Sequence, residues 1–318
     1  MAFLQTDVTG GKAALVPILE INRLIKTFNH QPVLDQLSLG IYPGEVYGLL
    51  GPNGAGKTTT INILCGLLNA DRGKIKLNGQ AISASSKALL GIAPQENLLY
   101  KTLTCVENLH FFASIYGLRG QERTKQIQTC LAAVGLIDRA NSAAETLSGG
   151  MKRRLSIAIA LVHNPKLVIL DEPTTGLDIE ARYEIWQLIR NLKQQNITVL
   201  LTTHLLDEAE RLCDRIGILK GGKLLAEGSL AQLRQKVPAA EILLVQTDQP
   251  EQTIAHAQKL GFTYRKYDNE LAFWLPKPLP LAEIVNLFAT VPLNSISKQP
   301  VRLEHIYVEV TQQSQDAH

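Results

Sequence analysis

The spacing of apolar residues changes period several times along this chain, and each change predicts an element. Leu37, Leu39 and Ile41 alternate with polar neighbours ahead of a Pro43-Gly44 pair, so residues 18–45 read as strands closed by a turn. Glu45–Leu50 is a short apolar run, and Thr58–Leu68 follows with helical spacing. Alternation returns around Ile75 and Leu77 and stops at Asn78-Gly79. From about residue 96 to 165 helical spacing dominates: Ile127, Cys130, Leu131 and Val134 recur at i, i+3, i+4 and i+7 and mark one buried face. Leu155–Val162 is apolar all round, as a buried helix is. Leu167–Leu170 then reads as a buried strand. Ile185, Leu188, Ile189 and Leu192 form the stripe of an amphipathic helix, and Ile197–Thr202 reads as another strand. Strands alternating with helices predict a parallel sheet covered on both faces.

A second pattern starts beyond Val237-Pro238. It reads strand (Glu241–Thr247), helix (Pro250–Leu260), two strands (Thr263–Tyr267 and Glu270–Leu275), a helix carrying Leu281, Ile284, Val285 and Phe288, and a strand. A last helix carries Leu303, Ile306, Tyr307 and Val310. The order β-α-β-β-α-β is that of a ferredoxin-like split unit. The expected division is a flexible tail over residues 1–17, an α/β domain over 18–237 with a helical subdomain at about 96–165, and an α+β accessory domain over 239–312.

Composition narrows the class. With 45% apolar residues among 318, the chain has ample core for two domains. The balance of 32 basic to 29 acidic residues, without a long basic block, gives no electrostatic footprint for nucleic acid. Cys65, Cys105, Cys130 and Cys213 lie far apart inside apolar patterns, which predicts buried, reduced thiols and fits a cytosolic compartment. No stretch approaches the ~20 apolar residues that cross a bilayer, and the N-terminal stretch lacks a signal-peptide pattern, so work at a membrane would need a separate anchor.

The chemistry sits in three segments. Gly51, Pro52, Asn53, Gly54, Ala55, Gly56, Lys57 and Thr58 match G-x-x-x-x-G-K-[ST] between a predicted strand and helix. A glycine-rich path turns backbone N–H groups toward phosphate, and the helix start adds its positive dipole end. Lys57 then suits the β- and γ-phosphates of ATP, and the Thr58 hydroxyl suits Mg²⁺. Asp171 and Glu172 end a buried apolar strand, where carboxylates are costly without a cation. Asp171 fits the acid on the Mg²⁺ side. Glu172, emerging on the opposite side of the strand end, fits a holder of the attacking water. Ser148-Gly149-Gly150 heads a helix, with Ser148 as its cap and two glycines leaving the first N–H groups uncovered. The following Lys152–Arg154 reads as a solvated face or as packing against an acidic neighbour, and the histidines other than His204 as surface or packing residues.

Taken together, these residues resemble the ATP-binding subunit of an ABC transporter over about residues 18–233. Gly51–Thr59 is similar to Walker A, Leu167–Glu172 to Walker B, and Leu147–Met151 to the family signature. Gln95 resembles the Q-loop glutamine, Asp178 in Gly176-Leu-Asp178 the D-loop aspartate, and His204 the switch histidine. Phe28 stands where the family stacks an aromatic ring on adenine. Taken singly, Gln95 reads equally as a polar loop residue and His204 as a strand-end histidine; the full set carries the resemblance. It implies a P-loop NTPase core of ABC type with an antiparallel β subdomain and a helical subdomain. It further implies two copies facing head to tail, each ATP lying between one copy's Walker A, including Thr59, and the other's Ser148, Gly149 and Gly150. Gln95 would meet Mg²⁺ and the attacking water, His204 the γ-phosphate, and Asp178 the partner copy. The helical segment after Gln95, including Leu98–Tyr100 and Leu103–Leu109, would signal to a separate membrane permease, which would hold the protein at the cytoplasmic face of the cell membrane.

Met151 departs from the glutamine often found at the fifth signature position. With Lys152-Arg-Arg-Leu155 and the ending Arg302–Val310, it resembles the ABC-2-type and antibiotic-resistance exporter branch. The alternative is a soluble ABC ATPase acting on ribosomes or DNA. Those resemble tandem cassettes or carry long coiled-coil insertions, whereas a single cassette with ordinary helices is read here.

Overall fold

The computed structural model describes residues 16–83, 86–267 and 270–313; the expected tail over 1–17 lies almost wholly outside them. The first alternating stretch forms strands β1 (Leu19–Phe28) and β2 (Gln31–Ile41), paired antiparallel through a tight turn at Asn29 and His30. Both turn residues have positive φ, 47° and 64°, which matches the right-handed twist of a hairpin. β3 (Val46–Leu50) is buried throughout and leads through the glycine turn into helix α1 (Lys57–Cys65). This helix stops short of the expected Leu68. Gly66, at φ 70°, donates its N–H to Asn62 and Ile63 carbonyls and closes the last turn, a role in which glycine meets no Cβ penalty. β4 (Arg72–Leu77) and β5 (Gln80–Ala81) complete a four-stranded antiparallel sheet of order β2-β1-β4-β5.

β6 (Leu90–Ala93) precedes the helical region, which is α2 (Cys105–Ile115), α3 (Gly120–Ala133) and α4 (Gly149–Leu161). Leu98–Tyr100, expected to be helical, are not. Thr104 and Glu107 form a capping box that starts α2 only at Cys105. The Asn108 side chain, fully buried, accepts from Tyr100 N–H and donates to the Tyr100, Leu103 and Thr104 carbonyls, which fixes the extended approach. β7 (Leu167–Asp171), α5 (Ile179–Gln194) and β8 (Thr198–Thr203) follow. β6, β7 and β8 are parallel, with Asp171 opposite Thr202. The uniform burial of β7 and β8 explains why they read as apolar runs rather than alternations.

The remaining elements are α6 (Leu206–Leu212), β9 (Arg215–Lys220), β10 (Lys223–Gly228), α7 (Leu230–Arg234), β11 (Glu241–Gln246), α8 (Pro250–Lys259), β12 (Thr263–Tyr267), β13 (Glu270–Leu275), α9 (Leu281–Leu287), β14 (Ser295–Pro300) and α10 (Leu303–Gln313). The central sheet runs β10-β9-β3-β8-β7-β6 and the C-terminal sheet β12-β13-β11-β14. In the latter β13 lies between β11 and β12, the split arrangement expected from the element order.

By chain contacts the molecule divides into two units. Among the described residues, one holds those from 16 to 47, 56–202 and 221–223; the other holds 48–55, 203–220 and those from 224 to 313. Within the second unit the C-terminal sheet is buried on both faces. Leu243, Val245, Leu271, Phe273 and Leu275 meet Ala257 of α8 and Ile284 and Phe288 at α9. The alternate residues Ile242, Ala272 and Trp274 share a core with Leu303, Ile306 and Val310 of α10, Ala209 of α6, Ile216 and Ile218 of β9, and Leu233 of α7. Glu210 of α6 accepts from Leu303 N–H at the start of α10 (3.3 Å). Cys105 and Cys130 are buried as expected, with burial pushing the Cys130 thiol up to about 11, whereas Cys65 and Cys213 are only half-buried.

Candidate active site

The glycine turn is set by backbone contacts that exclude side chains. Gly51 N–H donates to Thr203 O at 3.1 Å, and a Cβ on Gly51 would come 2.3 Å from the Leu219 carbonyl oxygen. Ala55 N–H folds back to Pro52 O at 3.2 Å. Gly54 and Gly56 take φ of 79° and 109°, the left-handed region that favours glycine. Pro52, Asn53 and Gly54 are exposed, while Ala55 and Gly56 are buried. α1 begins at Lys57, and Gly56, its N-cap, has no side chain to occupy the first-turn N–H groups. Thr58 is exposed, Thr59 half-buried, and the buried Thr60 hydroxyl donates to Gly56 O at 2.9 Å.

Lys57 is only 5% exposed, and its Nζ lies 3.2 Å from Glu172 Oε1. The other oxygen of Glu172 accepts from the Thr175 hydroxyl at 3.1 Å. Strand alternation does not place Glu172, contrary to expectation. Its φ of 45° ends β7, and its N–H donates to the Thr202 carbonyl at 3.0 Å and to the Thr202 hydroxyl at 3.2 Å. Asp171, the last residue of β7, is buried and accepts from the Thr202 hydroxyl. Burial pushes the Asp171 carboxyl above its ordinary range, the Thr202 bond opposes that, and the neighbouring Glu172 charge adds to it.

Ser148 caps α4, its hydroxyl oxygen accepting from Met151 N–H at 3.2 Å. Ser148 and Gly149 are exposed, but Gly150 is buried, and a Cβ there would lie 2.7 Å from Ala181 Cβ. Gly150 thus lets α4 and α5 approach closely. Asp178 is exposed and caps α5, accepting from Ala181 N–H at 2.8 Å. Gln95 is exposed just after β6, and His204 is exposed between β8 and α6, where the Thr203 hydroxyl oxygen accepts from Leu205 N–H. Phe28 ends β1, 42% exposed, with Lys26 Nζ 5.2 Å from its ring centroid. The structure therefore brings Lys57, Asp171 and Glu172 together around Thr202, and stands Phe28, Gln95, Ser148 and Asp178 at separate element ends.

Two residues with a part in this geometry were missed from the sequence, Thr202 and Arg153. Arg153 corrects a specific expectation. It is 3% exposed, not part of a solvated face; it donates to the carbonyls of Pro94, Asp171 and Pro173, and its charge also favours the ionised Asp171 carboxyl. Its neighbours behave nearer to expectation: Arg154 lies 3.5 Å from Glu184, and Lys152 Nζ donates to the Glu145 carbonyl.

Residues 34–175 match the family model described as ABC transporter, a span that includes the glycine turn, the capped α4 and Asp171-Glu172. The Nod factor export ATP-binding protein I of Cupriavidus metallidurans is 34% identical over 300 residues, covering 93% of this chain and 98% of that protein. The chain belongs to the ABC transporter family. This cassette is also 42% identical over 229 residues to the linearmycin resistance ATP-binding protein LnrL of Bacillus subtilis, covering 71% of the chain and 74% of LnrL. Its fold matches a solved ATP-binding subunit of an ABC transporter with a TM-score of 0.62 at 34% identity, over 69% of this chain and 92% of that one. A cassette solved as a dimer in a post-hydrolysis state with ADP and phosphate matches at TM-score 0.59 and 28% identity, over 66% of this chain and 98% of that one. The cassette is an ATP-binding, ATP-hydrolysing enzyme of the ABC class.

Proposed function

We propose that this cassette is the ATPase subunit of an exporter whose membrane-spanning part is a separate protein of ABC-2 type. The observation that carries the reading is the match to an export ATP-binding protein across nearly the whole chain, C-terminal elements included. No helix among the described residues is long and apolar enough to cross a membrane, so a permease partner supplies the pathway and holds the cassette at the cytoplasmic face.

In this reading two copies close head to tail around two ATP molecules. Residues 51–59 of one copy hold the phosphates by backbone N–H groups and Lys57, and Phe28 stacks on adenine. Ser148, Gly149 and Gly150 of the other copy offer the exposed start of α4 to the γ-phosphate, and Asp178 lies at the seam. Thr58, Asp171 and Gln95 form an oxygen-only donor set that suits Mg²⁺, and a divalent cation beside Asp171 offsets the burial that disfavours its charged form. An ion held there would supply charge neutralisation for the phosphates. The phosphates compete for Lys57, which frees the Glu172 carboxylate to hold the attacking water, with His204 orienting it against the γ-phosphate. Splitting ATP breaks the link across the seam, and repulsion between products loosens the pair. The segment from Gln95 through Leu98–Tyr100 to Leu109 passes that motion to the permease. Both faces of the C-terminal sheet are covered, so any dimer surface it adds comes from its helices or edges.

The test is E172Q with Mg-ATP, followed by light scattering and phosphate release. The expected result is a stable dimer with turnover nearly abolished. Normal turnover would remove Glu172 from its role, and a monomer at high concentration beside the permease would remove the sandwich.

A further inference from the structure

Arg153 sits five residues into the segment that opens at Ser148, buried in α4. Its Nε donates to Pro173 O at 3.0 Å and one terminal nitrogen to Asp171 O at 2.7 Å; the other terminal nitrogen donates to Pro94 O. The three acceptors share one property. Pro94 immediately precedes Gln95, and Asp171 and Pro173 flank Glu172 on either side. A guanidinium is a rigid planar fork, so one group sets the spacing of three backbone points at once. Burying a cation is costly, and an apolar side chain would fill the same space without that cost. Glu172 also holds a left-handed φ, which a side chain keeps only when its surroundings over-determine it. The bonds from Arg153 to the carbonyls on both sides of Glu172 supply part of that determination.

We propose that Arg153 is a positioning residue for ATP hydrolysis, clamping Gln95 and Glu172 to the helix that carries Ser148 and Gly150. The inference rests on the head-to-tail reading above. Under it Gln95 and Glu172 act on the cassette's own ATP, while Ser148 and Gly150 act on the partner's. Arg153 therefore ties the geometry of one nucleotide site to that of the other, and turnover at the two is coupled through it.

The test uses the full chain with R153K, which keeps the charge but not the fork, and R153M, which keeps neither. Both should lower kcat by tenfold or more, because displacing reacting groups by about 1 Å costs on the order of 10²-fold. ADP affinity should stay within twofold, and the Hill coefficient for ATP should fall toward one. In a Q95A background the R153K loss should shrink, since both act on one group. Folded R153K and R153M with kcat within twofold of the unaltered chain would overturn the proposal. So would ADP affinity falling in step with kcat, or failure of both variants to fold, which would make Arg153 a stability residue. A Hill coefficient of one in the unaltered chain would instead refute the head-to-tail reading and leave the kcat and Q95A comparisons to judge Arg153.

Discussion

The Lys57–Glu172 pair gives the most direct handle on the site. At 3.2 Å, with side chains 5% and 9% exposed, its gross attraction is about 5 kcal/mol at an effective dielectric of 20. Desolvation of two ions cancels much of that, so the net value is far smaller. Glutamine at 172 still accepts a hydrogen bond from Lys57 but removes the charge, a loss of about 1–2 kcal/mol for a charge-assisted bond. Phosphate must compete with that carboxylate for the ammonium, so E172Q should bind ADP about five- to thirtyfold more tightly. Titration with ADP in a chelator isolates the effect, because ADP lacks the γ-phosphate and no magnesium coordination changes. Thermal unfolding supplies a second readout, since tighter binding raises the stability gained at saturating ADP. Unchanged or weaker ADP binding in E172Q would refute the reasoning. A gain that persists in a K57M background would show that Glu172 repels phosphate directly rather than through Lys57.

Three further outcomes test the surrounding structure. G150A places a Cβ 2.7 Å from Ala181 Cβ, so urea unfolding should show a loss of about 1–3 kcal/mol, partly recovered by adding A181G. W274A removes a fully buried ring whose Nε1 donates to Glu309 at 3.1 Å; it should cost about 3–5 kcal/mol by chemical denaturation, and a loss below 1 would deny the shared core. His305 is 2% exposed, and burial, with the nearby Arg302 charge, holds its pKa below the ordinary 6.5 against the opposing pulls of the Glu304 and Glu210 carboxylates. The folded state therefore prefers the neutral ring, and the stability tied to it is complete above pH 6.5 and declines as pH falls below that value. H305N should flatten the unfolding midpoint measured between pH 7.5 and pH 5.5, numbers chosen to span about one unit either side of a free imidazole.

Much of the site was legible because its chemistry is local. The glycine turn needs Gly54 and Gly56 at positive φ within one loop, and Ser148 and Asp178 cap helices that start beside them. Periodicity identified the amphipathic α5 and the split C-terminal order for the same reason, since each is a property of a few consecutive turns. The failures are long-range. Lys152–Arg154 looks like a surface run because nothing nearby in sequence shows that carbonyls 59, 18 and 20 residues away converge on Arg153. Leu98–Tyr100 has an apolar spacing compatible with helix, but the buried Asn108 amide captures its backbone groups first. At Glu172 the bonds to Thr202, thirty residues on, override the strand geometry that alternation assumes.

The covered sheet at the C-terminus bears on how such a protein can be taken apart. Ile242, Ala272 and Trp274 complete the same apolar interior as Ala209, Ile216 and Ile218, and α10 is fastened to the helix that follows His204. Cutting the chain after Val237 would thus strip the lining from α6 and β9, which lie before the cut, and leave them open to water. The natural seam for dissection is not the interval between the two sequence patterns, and a shortened cassette that hydrolyses ATP poorly would report a wound rather than the absence of a regulator.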